Sequence, residues 1–260
     1  MPTAHLNHSH IHYAFDETAG ADKPVLVLSN SLGTSMAMWE PQRPLFAHYR
    51  VLRYDTRGHG ASSGEPGPYT MAQLGQDVIA LMDHLGIAKA HFCGLSMGGM
   101  VGIHLAIHAA DRFDKLVLAN TNAHTASPQF WQARITILRS EGGIANIADG
   151  VMARFFSPEF TLLHPDTVAR FKADMLATSL AGYTACCAAI RDMDFRASLP
   201  NIAHPVLVIV GNKDQAAPPE HGQFLANQVQ SGAVLALDAA HISNVEAADA
   251  FSQAVQRFLG

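Results

Sequence analysis

A serine set among glycines is the most chemically suggestive feature of this 260-residue sequence. Ser96 is the central residue of the segment GLSMG (94–98), which fits the pattern G-x-S-x-G. In that pattern the serine occupies a sharp turn between a strand and a helix, where small neighbours let the backbones pass closely. Residues 91–93 predict the strand and Gly99 to Ala109 predict the helix. The motif therefore predicts a nucleophilic serine rather than an ordinary glycine-rich turn.

A base must accompany this serine, because a serine hydroxyl is a weak nucleophile at its free pKa. In this arrangement the chain order is serine, then an acid, then histidine. Of the fifteen histidines, only His241 follows the last predicted strand, 233–237, and it precedes the predicted closing helix, Val245 to Leu259. A loop at that place can deliver an imidazole to the serine. His241 is therefore the predicted base.

The acid is expected on a loop after an earlier strand. Asp214 ends the segment GNKD (211–214), which follows the apolar run 205–210. Its role would be to fix the imidazole tautomer and to stabilise the imidazolium. Asp238 is the alternative acid, but it lies only three residues before His241 and is a less natural orienting partner. Asp214 could instead be a turn-capping aspartate.

An oxyanion hole needs two preorganised backbone donors. One is expected to be the amide of Met97, directly after the nucleophile. The other should come from the loop SNSLG (29–33), which follows the apolar run 24–28. The amide of Leu32 is the candidate. The alternative is that Asn30 and Ser31 only form a polar turn.

The elements that must position these residues alternate between strands and helices. Such alternation predicts an α/β fold with a mostly parallel sheet and helices on both faces. The segment from His5 to Phe15 alternates enough to be an edge strand. Helices are predicted from Ser35 to Tyr49, with interruptions near Pro41 and Pro44, and from Thr70 to Leu85. The predicted buried strands are 24–28, 50–54, 91–93, 115–119, 205–210 and 233–237.

The alternation stops between residues 122 and 190, where the sequence shows no clear strand. We interpret 122–190 as a helical cap inserted into a core formed by 1–121 and 191–260. The cap would cover the C-terminal edge of the sheet, where open α/β sheets bind ligands. Within it, Trp131 and Arg134 are three residues apart and would share a helix face. They could line the pocket roof, with Arg134 binding a carboxylate, or they could lie in the cap core and in solvent respectively.

Composition excludes several other functions. The charged fraction is 15%, the net charge is −5, and no Lys/Arg-rich run is present, so nucleic-acid binding is not expected. The first residues lack the basic and apolar regions of a signal peptide, and no apolar run has membrane-spanning length. Cys93, Cys186 and Cys187 do not form a disulfide framework. These features predict a soluble cytoplasmic protein that does not bind a membrane.

Three histidines, His8, His10 and His12, have a spacing that could bind a metal from one strand face. No carboxylate or cysteine pattern completes such a site. We therefore predict no metal site here and interpret the three histidines as the solvated face of an edge strand.

With these residues in view, the sequence resembles the 3-oxoadipate enol-lactonases of the α/β-hydrolase superfamily. The resemblance runs through most of the chain. One departure is Ala217 before Pro218, where many relatives have threonine; it should tune the Asp214 loop. The segments that carry the resemblance are LSNSLGT (28–34), YDTRGHG (54–60), CGLSMGG (93–99), CCAAIRDMD (186–194), GNKD (211–214) and AHISN (240–244).

The resemblance implies an α/β-hydrolase fold and a small lactone substrate, the enol-lactone of 3-oxoadipate, in the catabolism of protocatechuate and catechol. It implies no cofactor. Because that lactone carries a carboxylate, Arg134 becomes the favoured residue for substrate orientation. Two enzyme alternatives share the same triad, a general carboxylesterase and a cofactor-free haloperoxidase. A third alternative is a ligand receptor that keeps the fold without turnover. The oligomeric state does not follow from the sequence.

Overall fold

One mixed sheet forms the centre of the molecule. The computed structural model describes residues 1–6, 9–125 and 127–260. Strand order in the sheet is β1-β2-β4-β3-β6-β7-β8-β9, and the short β5 pairs with β2 outside this path. The strands are β1 (Thr3–Leu6), β2 (Ser9–Asp16), β3 (Val25–Ser29), β4 (Arg50–Tyr54), β5 (Ser63–Gly64), β6 (Ala90–Leu95), β7 (Phe113–Ala119), β8 (Pro205–Gly211) and β9 (Ser231–Leu237).

The strands from β4 through β3, β6, β7 and β8 to β9 are parallel, whereas β1, β2 and β5 pair antiparallel. The central strands β3 and β6 are buried at every position, because helices cover both faces. Burial on both faces explains why these strands are continuous apolar runs in the sequence. The predicted α/β architecture with a mostly parallel sheet flanked by helices is confirmed.

Helices flank the sheet and close the chain. Thr70 caps the first with a capping box, in which its hydroxyl accepts from the Gln73 amide and the Gln73 side chain accepts from the Thr70 amide. The helices outside the insertion are α1 (Met71–His84), α2 (Met97–His108), α8 (Pro219–Gln228), α9 (Ser243–Glu246) and α10 (Ala248–Leu259). In the described ranges, three 3₁₀ segments lie between other elements, at Met36–Ala47, Ala110–Arg112 and Arg196–Asn201.

Between β7 and β8 the described chain is helical. Three of the helices there begin at a proline, whose fixed φ and missing amide proton suit a first turn. An isolated bridge between His124 and Asp194 closes the base of the insertion. The helices are α3 (Pro128–Leu138), α4 (Ala145–Phe155), α5 (Pro158–Leu163), α6 (Pro165–Ala177) and α7 (Leu180–Asp192). A helical insertion is thus present, and its bounds at 122 and 190 stay a prediction.

Four local predictions differ from the structure, one of them the closing helix predicted from Val245 to Leu259, which is the two helices α9 and α10. The segment from His5 to Phe15 is two antiparallel strands rather than one, since β1 folds back on β2. The segment predicted as an interrupted helix is the 3₁₀ segment Met36–Ala47, which runs through both of its prolines. The helix after the nucleophile begins at Met97 rather than Gly99. Except for the 3₁₀ segment, each difference concerns a boundary, where neighbouring strands and caps decide more than periodicity does.

Three further predictions concern a metal site, a membrane-spanning segment and disulfide bonds. His8 lies outside the described residues, so the H-x-H-x-H spacing cannot be followed there. In the described ranges, no single helix is long and apolar enough to cross a membrane; α6 and α7 reach that composition only jointly, across a 95° bend. Cys93, Cys186 and Cys187 are buried free thiols.

Candidate active site

Ser96 occupies a strained turn between β6 and α2. Its φ of 56° and ψ of −117° lie in a region that side-chain-bearing residues rarely adopt. Only small neighbours fit, because a Cβ on Gly94 would overlap the carbonyl of Gly98, and one on Gly98 would overlap the carbonyl of Ser29. The serine is half-buried and lines a cleft under the cap, whereas its neighbours Leu95 and Met97 are buried. This is the turn that the glycine spacing predicted.

His241 and Asp214 form a buried pair beside this turn. The Nδ1 of His241 is 2.9 Å from Oδ2 of Asp214, and both residues are at most 4% exposed. The ring of Phe155 stacks on the imidazole, with centroids 5.5 Å apart. His241 also lines the same cleft as Ser96. The alternative acid, Asp238, has a side chain that is 79% exposed and pairs with Lys213 at 3.1 Å.

Asp214 is held by a full set of donors. Oδ1 accepts from the amides of Ala216 and Ala217 at 2.7 and 2.9 Å, and Oδ2 accepts from Asn120 Nδ2 at 2.9 Å. Burial acts to raise the pKa of the Asp214 carboxyl, but the charge and hydrogen bond of His241 and these donors outweigh it and lower the pKa. The Ala217 contact uses the backbone, so the departure from threonine leaves it intact.

Sequence reasoning missed Asn120, which lies just beyond β7. Besides its bond to Asp214, Nδ2 donates to the carbonyl of Ala240 at 3.2 Å, next to His241. Its Oδ1 accepts from the hydroxyl of Ser243. Asn120 is 1% exposed and has a φ of 46°, a left-handed conformation that asparagine tolerates better than most residues. An asparagine directly after a buried strand was the available signal.

The loop after β3 has one face on the cleft. Leu32 and Ser31 line the cleft, and the left-handed Gly33 (φ 77°) leaves no room for a Cβ against Tyr183. Asn30 turns away: its Nδ2 donates to the carbonyl of Tyr54 at 2.8 Å, and its Oδ1 accepts from the indole of Trp39 at 2.9 Å. Only Asn30 therefore fits the alternative of a polar structural turn.

Met97 is the first residue of α2, so its amide makes no hydrogen bond within that helix. Helix N-termini favour negative charge through both these free amides and the helix dipole. The Met97 side chain is 1% exposed and packs in the core. The amide can thus serve an anion beside Ser96 while the side chain anchors the helix.

The cleft lies between the cap and the carboxyl ends of the strands and has a volume of about 360 Å³. Trp131 and Arg134 both line it. The guanidinium carbon of Arg134 is 4.9 Å from the ring centroid of Phe130 and 5.1 Å from that of Trp131. Arg134 is 9% exposed, so of the two predicted placements the pocket roof is the one observed.

A second arginine, Arg154 on α4, lines the same cleft and was not predicted. Its guanidinium carbon is 5.5 Å from the Phe130 ring. Burial, together with the charge of Arg134, lowers the pKa of Arg154. Among the described residues, neither arginine has a carboxylate within 4.0 Å. Two uncompensated cations in a partly apolar cleft create a demand for an anionic ligand.

A metal centre finds no support in the described ranges, which hold no group of three or more His, Cys, Asp or Glu side chains placed to ligate an ion. The chemistry available in the cleft is that of a strained serine, a carboxylate-oriented imidazole and backbone donors. That combination suits acyl transfer through a serine ester.

Comparison with known proteins agrees with this geometry. Residues 24–248 match the family model of the alpha/beta hydrolase fold. Two relatives from Acinetobacter baylyi, 3-oxoadipate enol-lactonases 2 and 1, are 46% and 36% identical to this chain, each over 91% of it and 88% of the relative. The crystal structure of the enol-lactonase from Burkholderia xenovorans LB400 superposes with a TM-score of 0.96 at 45% identity, covering 99% of both chains. This chain therefore belongs to the α/β-hydrolase family.

Proposed function

We propose that this protein hydrolyses the enol-lactone of 3-oxoadipate to 3-oxoadipate through an acyl-enzyme on Ser96. The observation that carries the proposal is one cleft that is lined both by Ser96 and the Asp214-oriented His241 and by two uncompensated arginines. Ser96 and His241 supply the ester chemistry, and the two arginines select an anionic substrate. The relatives named 3-oxoadipate enol-lactonase, at 46% and 36% identity, support the same substrate.

In acylation, the oxygen of Ser96 bonds to the lactone carbonyl carbon while its proton passes to Nε2 of His241. The carbonyl oxygen becomes an oxyanion, which accepts from the amides of Met97 and Leu32. Collapse re-forms the carbonyl and breaks the bond to the ring oxygen, which leaves as an enolate and takes up the proton as an enol. An enol leaves more readily than an alkyl alcohol, so orientation and oxyanion stabilisation are the main demands.

In deacylation, water attacks the acyl carbon while His241 accepts a proton from it. The second oxyanion collapses, the bond to Ser96 breaks, and the serine oxygen recovers the proton. The released acid ionises and its enol tautomerises to the ketone, giving 3-oxoadipate. No oxidant, reductant or cofactor is needed for this balance. The reaction belongs to the catabolism of protocatechuate and catechol, the β-ketoadipate pathway.

The carboxylate that the lactone carries is proposed to bind Arg134, with Arg154 beside it. Phe130 and Trp131 hold the Arg134 guanidinium over their rings, which fixes its direction. Bidentate pairing with a carboxylate would relieve the repulsion between the two arginines. The charge pair therefore favours a carboxylated lactone over a neutral ester of similar size.

The proposal also covers the domain bounds, the cellular location and the partners of the protein. We retain 122–190 as the cap and 1–121 with 191–260 as the core, because α3 to α6 and all but the last two residues of α7 fall within 122–190. A cytoplasmic location is supported by the three free thiols, two of them adjacent in sequence. No nucleic-acid or membrane partner is proposed. Cell fractionation and a binding assay with DNA and vesicles test these points.

The decisive experiment is a turnover assay of the purified protein with the enol-lactone. We expect turnover well above that of p-nitrophenyl acetate. Ser96→Ala should reduce kcat at least about a thousandfold, since members of such a triad act as a unit. Circular dichroism should show that the variant keeps the fold. Ready cleavage of the aryl ester with no turnover of the lactone would make the protein a general esterase instead.

Removing either arginine tests whether it binds the carboxylate of the substrate. Arg134→Ala and Arg154→Ala should each lower kcat/KM for the carboxylated lactone about tenfold or more, and lower it much less for a neutral lactone. The matched control is Arg139→Ala, which removes an exposed arginine at the end of the same α3 helix. Equal losses on both lactones would remove the proposed role of the arginines.

A further inference from the structure

One cleft-lining residue, Ser31, has a buried hydroxyl without a partner in the described part of the chain, and the proposed mechanism does not use it. Ser31 is 1% exposed and lines the cleft together with Ser96 and Leu32. Its Oγ is buried and has no hydrogen-bond partner among the described residues. Leaving a buried hydroxyl unpaired costs on the order of 1–3 kcal/mol, and native structures rarely tolerate it without a reason.

The backbone of Ser31 is already fully engaged. Its amide donates to the sulfur of Met38 at 3.4 Å. Its carbonyl accepts from the Thr34 amide at 3.3 Å and from the Thr34 hydroxyl at 2.8 Å. These contacts fix the loop, so the hydroxyl is the polar group of this residue that remains free to meet a ligand.

The other polar side chains of the loop are satisfied elsewhere. The hydroxyl of Ser29 is 2.7 Å from that of Tyr54, and Asn30 is bound by Tyr54 and Trp39. Neither Ser29 nor Asn30 lines the cleft. Among the polar side chains of residues 29–31, only that of Ser31 belongs to a cleft-lining residue and has no partner within the described ranges, and it lies next to Leu32 in the chain.

We propose that the Ser31 hydroxyl is a third donor to the oxyanion, adding a side-chain O–H to the backbone amides of Leu32 and Met97. The inference rests on the proposed acyl transfer at Ser96 and extends it. In each tetrahedral intermediate the Ser31 hydroxyl keeps its proton and donates it in a hydrogen bond to the negative oxygen. No bond to Ser31 forms or breaks. The donor is unpaired in the free enzyme and preorganised, which is the condition under which it stabilises developing charge most.

The test compares Ser31→Ala, Ser31→Thr and the control Ser29→Ala, which removes a satisfied hydroxyl from the same loop. Ser31→Ala should lower kcat about a hundredfold, at the lower end of the range known for loss of one oxyanion donor, and leave KM within about twofold. Ser31→Thr should recover most of the loss because it restores a hydroxyl. Ser29→Ala should stay near the parent.

A tetrahedral boronic acid adduct of Ser96 supplies a second readout. Its affinity should fall in Ser31→Ala by the same factor as kcat, because the adduct mimics the intermediate and not the ground state. A purely structural role would lower the melting temperature without moving this affinity. A rise in KM at unchanged kcat would place Ser31 in ground-state binding and overturn the inference.

The two proposals can fail separately. If the parent turns over the enol-lactone or p-nitrophenyl acetate and Ser31→Ala matches it within twofold, only the role of Ser31 is refuted. If the parent cleaves the aryl ester but not the lactone, the substrate proposal fails and Ser31 is still judged on the aryl ester. If Ser96→Ala keeps full activity, acyl transfer and the Ser31 donor fall together.

Discussion

At the scale of residues, the acid of the site depends on a neighbour that contributes no chemistry of its own. Asn120 donates to the same oxygen of Asp214 that meets His241, and Ser243 in turn fixes the Asn120 amide. A carboxylate that accepts several hydrogen bonds keeps both its charge and its direction. Since Asn120 does not line the cleft, we assign it as a positioning residue that acts through Asp214.

Asn120→Gly tests this assignment while preserving the left-handed backbone conformation. We expect kcat to fall about tenfold with little change in KM, because an oriented charge loses a charge-assisted hydrogen bond. The pKa of Asp214 should rise once a donor to its ionised form is lost. The acid limb of the pH–rate profile should therefore move to higher pH. Ser243→Ala, one step further out, should have a smaller effect; an unchanged profile in Asn120→Gly would contradict the role.

At the scale of elements, the cap and core meet through two glycines. A Cβ on Gly182, near the start of α7, would lie 2.5 Å from the Cα of Gly58 in the core. The amide of Ser179 donates to the Gly58 carbonyl at 3.2 Å, and the ring of Tyr183 stacks on His59. Backbone contact of this kind sets the distance between α7 and the loop after β4. Because Tyr183 also lines the cleft, that distance shapes the pocket.

Gly182→Ala should therefore destabilise the protein by roughly 1–3 kcal/mol, since the added methyl forces two backbones apart. The displaced Tyr183 should raise KM for the lactone as well. Gly150→Ala is the matched control: it lies in α4, an added Cβ would contact nothing within 4 Å, and alanine favours a helix. Urea unfolding should show Gly150→Ala at or above parental stability. Equal stability of all three proteins would exclude the tight glycine contact.

At the scale of the whole molecule, buried histidines make stability depend on pH. Burial lowers the pKa of His59 and of His104 to about 4. His59 is 0% exposed, and its Nε2 has no partner among the described residues. Between the ordinary histidine pKa and about pH 4, the unfolded chain binds protons that the folded chain refuses. Stability therefore rises with pH across this window and falls toward acid.

The free energy of unfolding should fall by about 2 kcal/mol between pH 7 and pH 5 from His59 alone. Asp55 acts in the opposite sense at lower pH, because burial raises its pKa. Urea titrations at both pH values measure the difference. His59→Gln should reduce this difference by about 2 kcal/mol and leave the part that comes from His104, whereas His48→Gln, at an exposed position, should leave it unchanged. A parent protein equally stable at both pH values would count against this account.

The sequence by itself determined the class of chemistry and the order of the elements. The glycines around Ser96, the loops that hold Asp214 and His241, and the apolar runs of the sheet are local patterns that neighbouring residues encode. The bounds of β1 and β2 were missed, because strand pairing depends on residues outside the segment.

Only the tertiary structure decided which distant residues share the cleft. Arg154 meets Arg134 because α3 and α4 pack together over the strand ends, and Asn120 meets Asp214 across 94 positions because β7 and β8 are neighbours. The structure also separated Asn30 from Ser31, which the sequence left as one polar turn. The partners available to each side chain determine such differences, and those partners lie on other elements of the fold.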